Sequence, residues 1–404
     1  MRRKALLGLA LLLALPTVAA EPAPIKIRTI TAFVPLQAST AERTFRETGA
    51  FLRQARQRFE AAGWEVQSLR LATPPLDVYI NDVPASDRLA FLLRLDALAV
   101  ELGLELSLGP ARFRRGRDAA TEDLLVELLT RSRNANASAE ILPEKPETLA
   151  AAARIIQRLG EVKAAEPPSF RFAAAAECPP GIPFFPVAYA GGRAREFALG
   201  LQSANFLLHG FSAGPNRENR DRVELNFAHR LRELEVLAQQ VAREQRWNFL
   251  GIDVSPAPLG EESIAAVLEI LSGGPIGSPA TVHAVAELTA MLRRLPVRQT
   301  GFSGLMLPVL EDKVLAQRAA EGRLRLHTLL VYSAVSGTGL DVVPLPADTD
   351  EERLVRILQD VAALATKLRK PLTARLLLVP GKRAGEMTEF DSPWLTNTRV
   401  MSLE

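Results

Sequence analysis

Four stretches toward the C-terminus gather most of the side chains able to do chemistry. They are Gly251–Pro258 (GIDVSPAP), Thr300–Asp312 (TGFSGLMLPVLED), Tyr332–Asp350 (YSAVSGTGLDVVPLPADTD) and Lys370–Pro393 (KPLTARLLLVPGKRAGEMTEFDSP). In each, an apolar run empties into a turn carrying acids, hydroxyls or a base, the way α/β proteins present reactive groups at strand ends. Asp253 and Asp341 are the candidates for proton transfer. With Glu311 and Asp312 they also form a candidate metal set, since carboxylates converging from separate strands bind a hard cation such as Mg²⁺ or Ca²⁺. Arg375 lies inside the apolar run Thr373–Val379, between Ala374 and Leu376. A charge there must be paired or must face a cavity. Together with Lys382, in the turn Val379-Pro380-Gly381-Lys382, it is expected to hold the negative group of a small ligand. Ser255, Ser303 and Ser336 are expected in the same pocket. Each of these residue types also has a structural use. Glu311, Asp312, Asp348 or Asp350 could cap a helix, and Arg375 could form a purely structural salt bridge.

Other patterns carry less. Gly210-Phe211-Ser212-Ala213-Gly214 has the letters of a nucleophile elbow, but Leu207-Leu208-His209 before it does not read as a strand, so it is taken as a turn. His209, His229, His283 and His327 show no helical pairing, and Cys178 is the one cysteine, which argues against a zinc site and excludes an intrachain disulfide. The glycines fit neither a Walker A loop nor a dinucleotide fingerprint.

These groups need elements to position them. Strands are expected at Ile25–Val34, Trp64–Ala72, Leu104–Leu108, Ser169–Ala176, Glu196–Ser203, Asn248–Val254, Phe302–Pro308, Leu326–Ala334 and Thr373–Val379, with a weak one near Ile141. Amphipathic helical patterns fall between them. About ten strands alternating with helices imply a single large α/β domain with a mostly parallel sheet, open or closed into a barrel. Ahead of it, Arg2-Arg3-Lys4, the apolar run Ala5–Leu15 and Val18-Ala19-Ala20 read as an export signal, cleaved before Glu21. The apolar run is well short of the roughly 20 residues that span a bilayer. The mature chain is therefore expected in the periplasm or medium, without a membrane anchor. Cleavage removes three positive charges and no negative one, taking the formal net charge from +3 to zero. Balanced charge argues against a nucleic-acid partner and leaves a small molecule as the expected one.

The four C-terminal stretches, together with Lys26-Ile27-Arg28-Thr29-Ile30-Thr31 and Ala61-Ala62-Gly63-Trp64-Glu65-Val66-Gln67, resemble the domain-of-unknown-function 711 family. That family is similar in fold to pyruvate formate-lyase, so the resemblance implies a closed α/β barrel of about ten strands in two antiparallel halves. It implies no particular reaction. Glycyl-radical chemistry is not expected, because the glycine-loop signature is absent and Cys178 is solitary. The chain departs from its relatives at Ser336, where they have cysteine, at Ala347 and Pro279-Ala280, where they have glycine-containing turns, and at Ala190, where they have histidine.

Overall fold

The computed structural model describes residues 23–114, 117–192 and 194–403. The expected export signal lies outside these residues. Nine strands form one sheet: β1 (Lys26–Phe33), β2 (Val66–Ala72), β3 (Glu105–Ala111), β4 (Ala135–Glu140), β5 (Phe172–Ala176), β6 (Glu196–Gln202), β7 (Asn248–Pro256), β8 (Gly339–Pro346) and β9 (Leu372–Val379). Their order is β7-β6-β1-β2-β3-β4-β5-β9-β8. β1 to β5 are parallel and joined by helices. The parallel pairs β6–β7 and β8–β9 flank this block, and each meets it through an antiparallel seam, β1 with β6 and β5 with β9.

The helices form because their apolar residues recur on one face. Ala41–Ala61 buries Phe45, Leu52 and Phe59, seven residues apart, together with Ala55 and Phe51. Phe51 stacks on Trp247 at 3.8 Å. Strands separate their two faces by alternation. In β9, Leu372, Ala374, Leu376 and Leu378 join the large core under the helices, while Thr373 and Arg375 project to the other face of the sheet and line a cavity there. That second face is filled by residues 182–188 and 302–306: Phe184, Val187, Phe302 and Met306 pack on Ala173 and Ala175. The alanines of β5 make room for them. Among the described residues no helix is long and apolar enough to cross a membrane.

The α/β class holds, but the ten-stranded closed barrel does not: the sheet has nine strands and is not closed. Two expected strands account for the difference. Phe302–Pro308 forms no ladder, because Ser303 adopts a left-handed backbone (φ 43°) and Gly301 another (φ 67°). Residues 299–308 pair with the edge strands through isolated bridges alone, Gln299 with Ile252 and Pro308 with Asp341, and not through a ladder. Leu326–Ala334 lies in a helix, Leu326–Val335, which is apolar on most of its faces and so lacks helical periodicity. The strand that the sequence reading missed is β8, whose Pro344 and Pro346 are tolerated because it lies at an edge.

Candidate functional site

Arg375 is the anchor. Its Nε donates to Asp341 Oδ1 at 2.7 Å and its Nη2 to Glu311 Oε1 at 2.6 Å. The guanidinium lies 4.9 Å over the ring of Phe170. All three charged side chains are only 11–13% exposed. One cation is thus shared by two buried anions. Burial works against the guanidinium's charge, but Asp341 and Glu311 outweigh it and hold its pKa above the ordinary arginine value. Burial, opposed by Arg375 and reinforced by repulsion from Asp341, holds Glu311 above the usual glutamate range. A carboxyl group so placed is a candidate for accepting and returning a proton.

This triad lines a cavity of about 320 Å³ whose walls come from β1 to β5, β8 and β9. Two further arginines enter from neighbouring parallel strands. Arg28 of β1 donates to Gln67 Oε1 at 3.2 Å and lies 5.5 Å over the Trp394 ring. Arg70 of β2 has a side chain only 9% exposed, with its Nε 2.7 Å from Glu105 Oε2. That contact is not aligned as a hydrogen bond, so the buried Nε lacks a hydrogen-bonding partner. The Arg70 guanidinium lies 4.7 Å over Phe185. Burial, only partly offset by Glu105 and aggravated by Arg28, pulls its pKa below the arginine norm. Arginine nonetheless stays charged, so Arg70 is a buried cation whose one ion-pair partner is Glu105. Arg171 differs: it donates to the carbonyls of Leu129, Ser132 and Ala135 and so closes the end of the helix Ala119–Arg131.

The sequence-derived candidates divide. Arg375, Asp341 and Glu311 meet in the cavity. Asp341 does so from within β8 rather than from the end of a strand at Leu326–Ala334. Asp253 is fully buried, and its carboxylate accepts from Phe302 N at 2.8 Å, Ser303 N and Ser255 N at 3.0 Å, and Ser255 Oγ at 2.6 Å. It pins the turn at Gly301, where an added Cβ would fall 2.1 Å from Asp253 Oδ2. Asp253, Ser255 and Ser303 therefore build that turn and do not line the cavity. Asp312 caps two helices. Ser336 is buried at the end of the helix Leu326–Val335, where its carbonyl accepts from Lys370 Nζ. Lys382 pairs with Glu389 at 2.7 Å, outside the cavity lining. The four acids expected to share a cation do not converge: two are spent on backbone donors and two on Arg375. Among the described residues no cluster of three or more histidine, cysteine or acidic side chains is arranged to hold a metal ion.

The sequence reading missed Arg28, Arg70 and Trp394. Arg70 carried the signal that exposed Arg375, since Leu69-Arg70-Leu71 is also a charge inside an apolar strand. The departures at Ser336, Ala347 and Ala190 all lie off the cavity. Ala190 packs in a small cluster with Phe33, Ala72, Ala188 and Ala198.

The fold and cavity define an α/β protein whose arginines and carboxylates meet on the inner face of one mixed sheet. The chain belongs to the family described as "Uncharacterised ACR (DUF711)", which matches residues 20–392. A UPF0210 protein of Pyrobaculum arsenaticum is 31% identical over 350 residues, 81% of this chain and 77% of that protein. One from Pyrobaculum aerophilum is 31% identical over 346 residues, covering 80% and 76%. One from Desulforudis audaxviator is 33% identical over 162 residues, covering 39% and 36%.

Proposed function

We propose that this protein is an enzyme acting on a small anionic molecule bound in the arginine-lined cavity. Arg28 and Arg70 receive the negative group. Glu311, braced by Arg375 and Asp341, exchanges the proton. The observation that carries the reading is Arg70: a guanidinium removed from water, whose desolvation its single partner Glu105 only partly offsets, is one that a bound anion would stabilise. A resident divalent cation finds no fitting donor set, so no step is assigned to one.

Titration of the purified protein with small carboxylates and phosphates tests the binding. Arg70→Met should weaken it by more than about tenfold, the loss of one charge-assisted hydrogen bond. Binding that ignores this substitution refutes the reading. A non-catalytic binding protein would use the same cavity, and the double engagement of Arg375 by Glu311 and Asp341, which a structural ion pair would also show, favours that second reading. Glu311→Gln separates the two, because an enzyme loses turnover while a binder keeps its affinity.

We also infer export, supported by the succession Arg2-Arg3-Lys4, Ala5–Leu15 and Val18-Ala19-Ala20. Protein recovered from periplasm or medium should begin at Glu21. An intact N-terminus in the cytoplasm would refute it.

A further inference from the structure

We infer that the ligand is a monoanion with a flat apolar body, the chemical class of an aromatic or conjugated monocarboxylate. This rests on the reading that the cavity binds an anion. Charge narrows the class first. Of the three arginines that stand over aromatic rings of the lining, Arg375 is paired with Glu311 and Asp341 and Arg70 with Glu105, whereas Arg28 is in no ion pair among the described residues. A cation partly withdrawn from water is stable when it is compensated, so one negative charge completes the set. A phosphate monoester or dicarboxylate would bring a second negative charge with no further unpaired cation of this group to meet it.

The walls narrow it further. Three guanidinium groups around the cavity lie over aromatic rings, Arg28 over Trp394, Arg70 over Phe185 and Arg375 over Phe170. A guanidinium held against a ring keeps N–H groups that can meet a planar, two-oxygen acceptor. Arg375 donates to both Asp341 and Glu311, whereas Arg70 meets Glu105 through Nε alone. Beyond these groups the lining turns apolar, with Phe184, Phe302 and Met306 each 7% exposed and bearing no cation. These side chains suit a ring or conjugated chain and offer nothing to a sugar or a polyol. At about 320 Å³ the cavity is roughly twice the size of one that accommodates benzene, which leaves room for a ring, a short arm and its carboxylate.

Calorimetric titration of the mature chain with trans-cinnamate, cinnamamide, phenyl phosphate and succinate tests the inference. Cinnamate should bind more than about tenfold tighter than each of the others, since cinnamamide lacks the charge that the arginines meet. Arg70→Met should abolish the preference, and Arg70→Lys, which keeps the charge and guards against misfolding, should restore part of it. Tighter, Arg70-dependent binding of phenyl phosphate or succinate would overturn the monocarboxylate class and leave the anion cavity standing. If no probe binds, or binding is equal in wild type and Arg70→Met with both proteins folded, the inference and the reading beneath it fall together.

Discussion

Glu311 and Asp312 are neighbours in the chain and differ by one methylene, yet they live in opposite surroundings. Asp312 is fully buried and accepts five hydrogen bonds: from Ser263 Oγ at 2.6 Å, from Ile264 N and Ala265 N at one helix start, and from Val314 N and Leu315 N at another. Two helix N-termini favour a negative charge between them. Glu311 accepts one hydrogen bond, from a cation it must share with Asp341, and opens onto a cavity. The contrast teaches that burial alone does not mark a reactive acid. An acid saturated by backbone donors is a joint of the structure. An acid in excess over its cation is available for chemistry. Asp253, with four donors and no cation, belongs with Asp312.

The sharpest way to break this comparison is to remove each acid. Asp312→Ala leaves two helix starts and Ser263 without their acceptor and should destabilise the fold by about 3–5 kcal/mol in urea unfolding. A loss under about 1 kcal/mol would deny its structural role. Glu311→Gln should stay folded and lower turnover by about a hundredfold or more, the usual weight of a general acid or base.

The pH dependence tests the surroundings of Glu311 directly. Glu311 faces Arg375, Asp341, Arg28 and Arg70, and its pKa is raised when folded. Its contribution to stability is therefore present in full below the ordinary glutamate value and is lost as pH rises through the elevated folded value. Relative to wild type, Glu311→Gln should gain stability as pH rises through that window, as urea midpoints can show. A difference that stays flat with pH would place Glu311 among the ordinary surface acids.

The smallest expected effect lies away from both acids. Ala280 has a left-handed backbone (φ 72°) just before the helix Thr281–Arg294. Ala280→Gly should stabilise by about 1 kcal/mol, seen as a higher Tm, by relieving that strain. It should leave ligand affinity unchanged.

Legibility in the sequence followed the same physics. Arg375 was readable because a charge flanked by apolar residues demands a partner, and the acids it meets lay among the candidates. Arg28 sits in β1 beside threonines and lysine, where an outward, solvated reading was equally natural. The roles of Asp253 and Asp312 were not readable, because they depend on backbone N–H groups that only the folded turn at 300–304 and two helix starts bring together. The edge strand β8 was hidden by its prolines. The absence of a closed barrel turned on left-handed residues, Ser303 among them, whose conformation no hydrophobic pattern reveals.

Trp394 offers the most direct test of the central claim, that a small anion is held between Arg28 and Arg70. It lines the cavity and is 42% exposed, whereas Trp64 and Trp247 are buried away from it. Tryptophan emission should therefore change on titration with a binding anion. The account predicts a saturable change that disappears in Trp394→Phe and shifts to more than about tenfold higher concentration in Arg70→Met. A saturable change that survives both substitutions would place the ligand elsewhere and contradict the account.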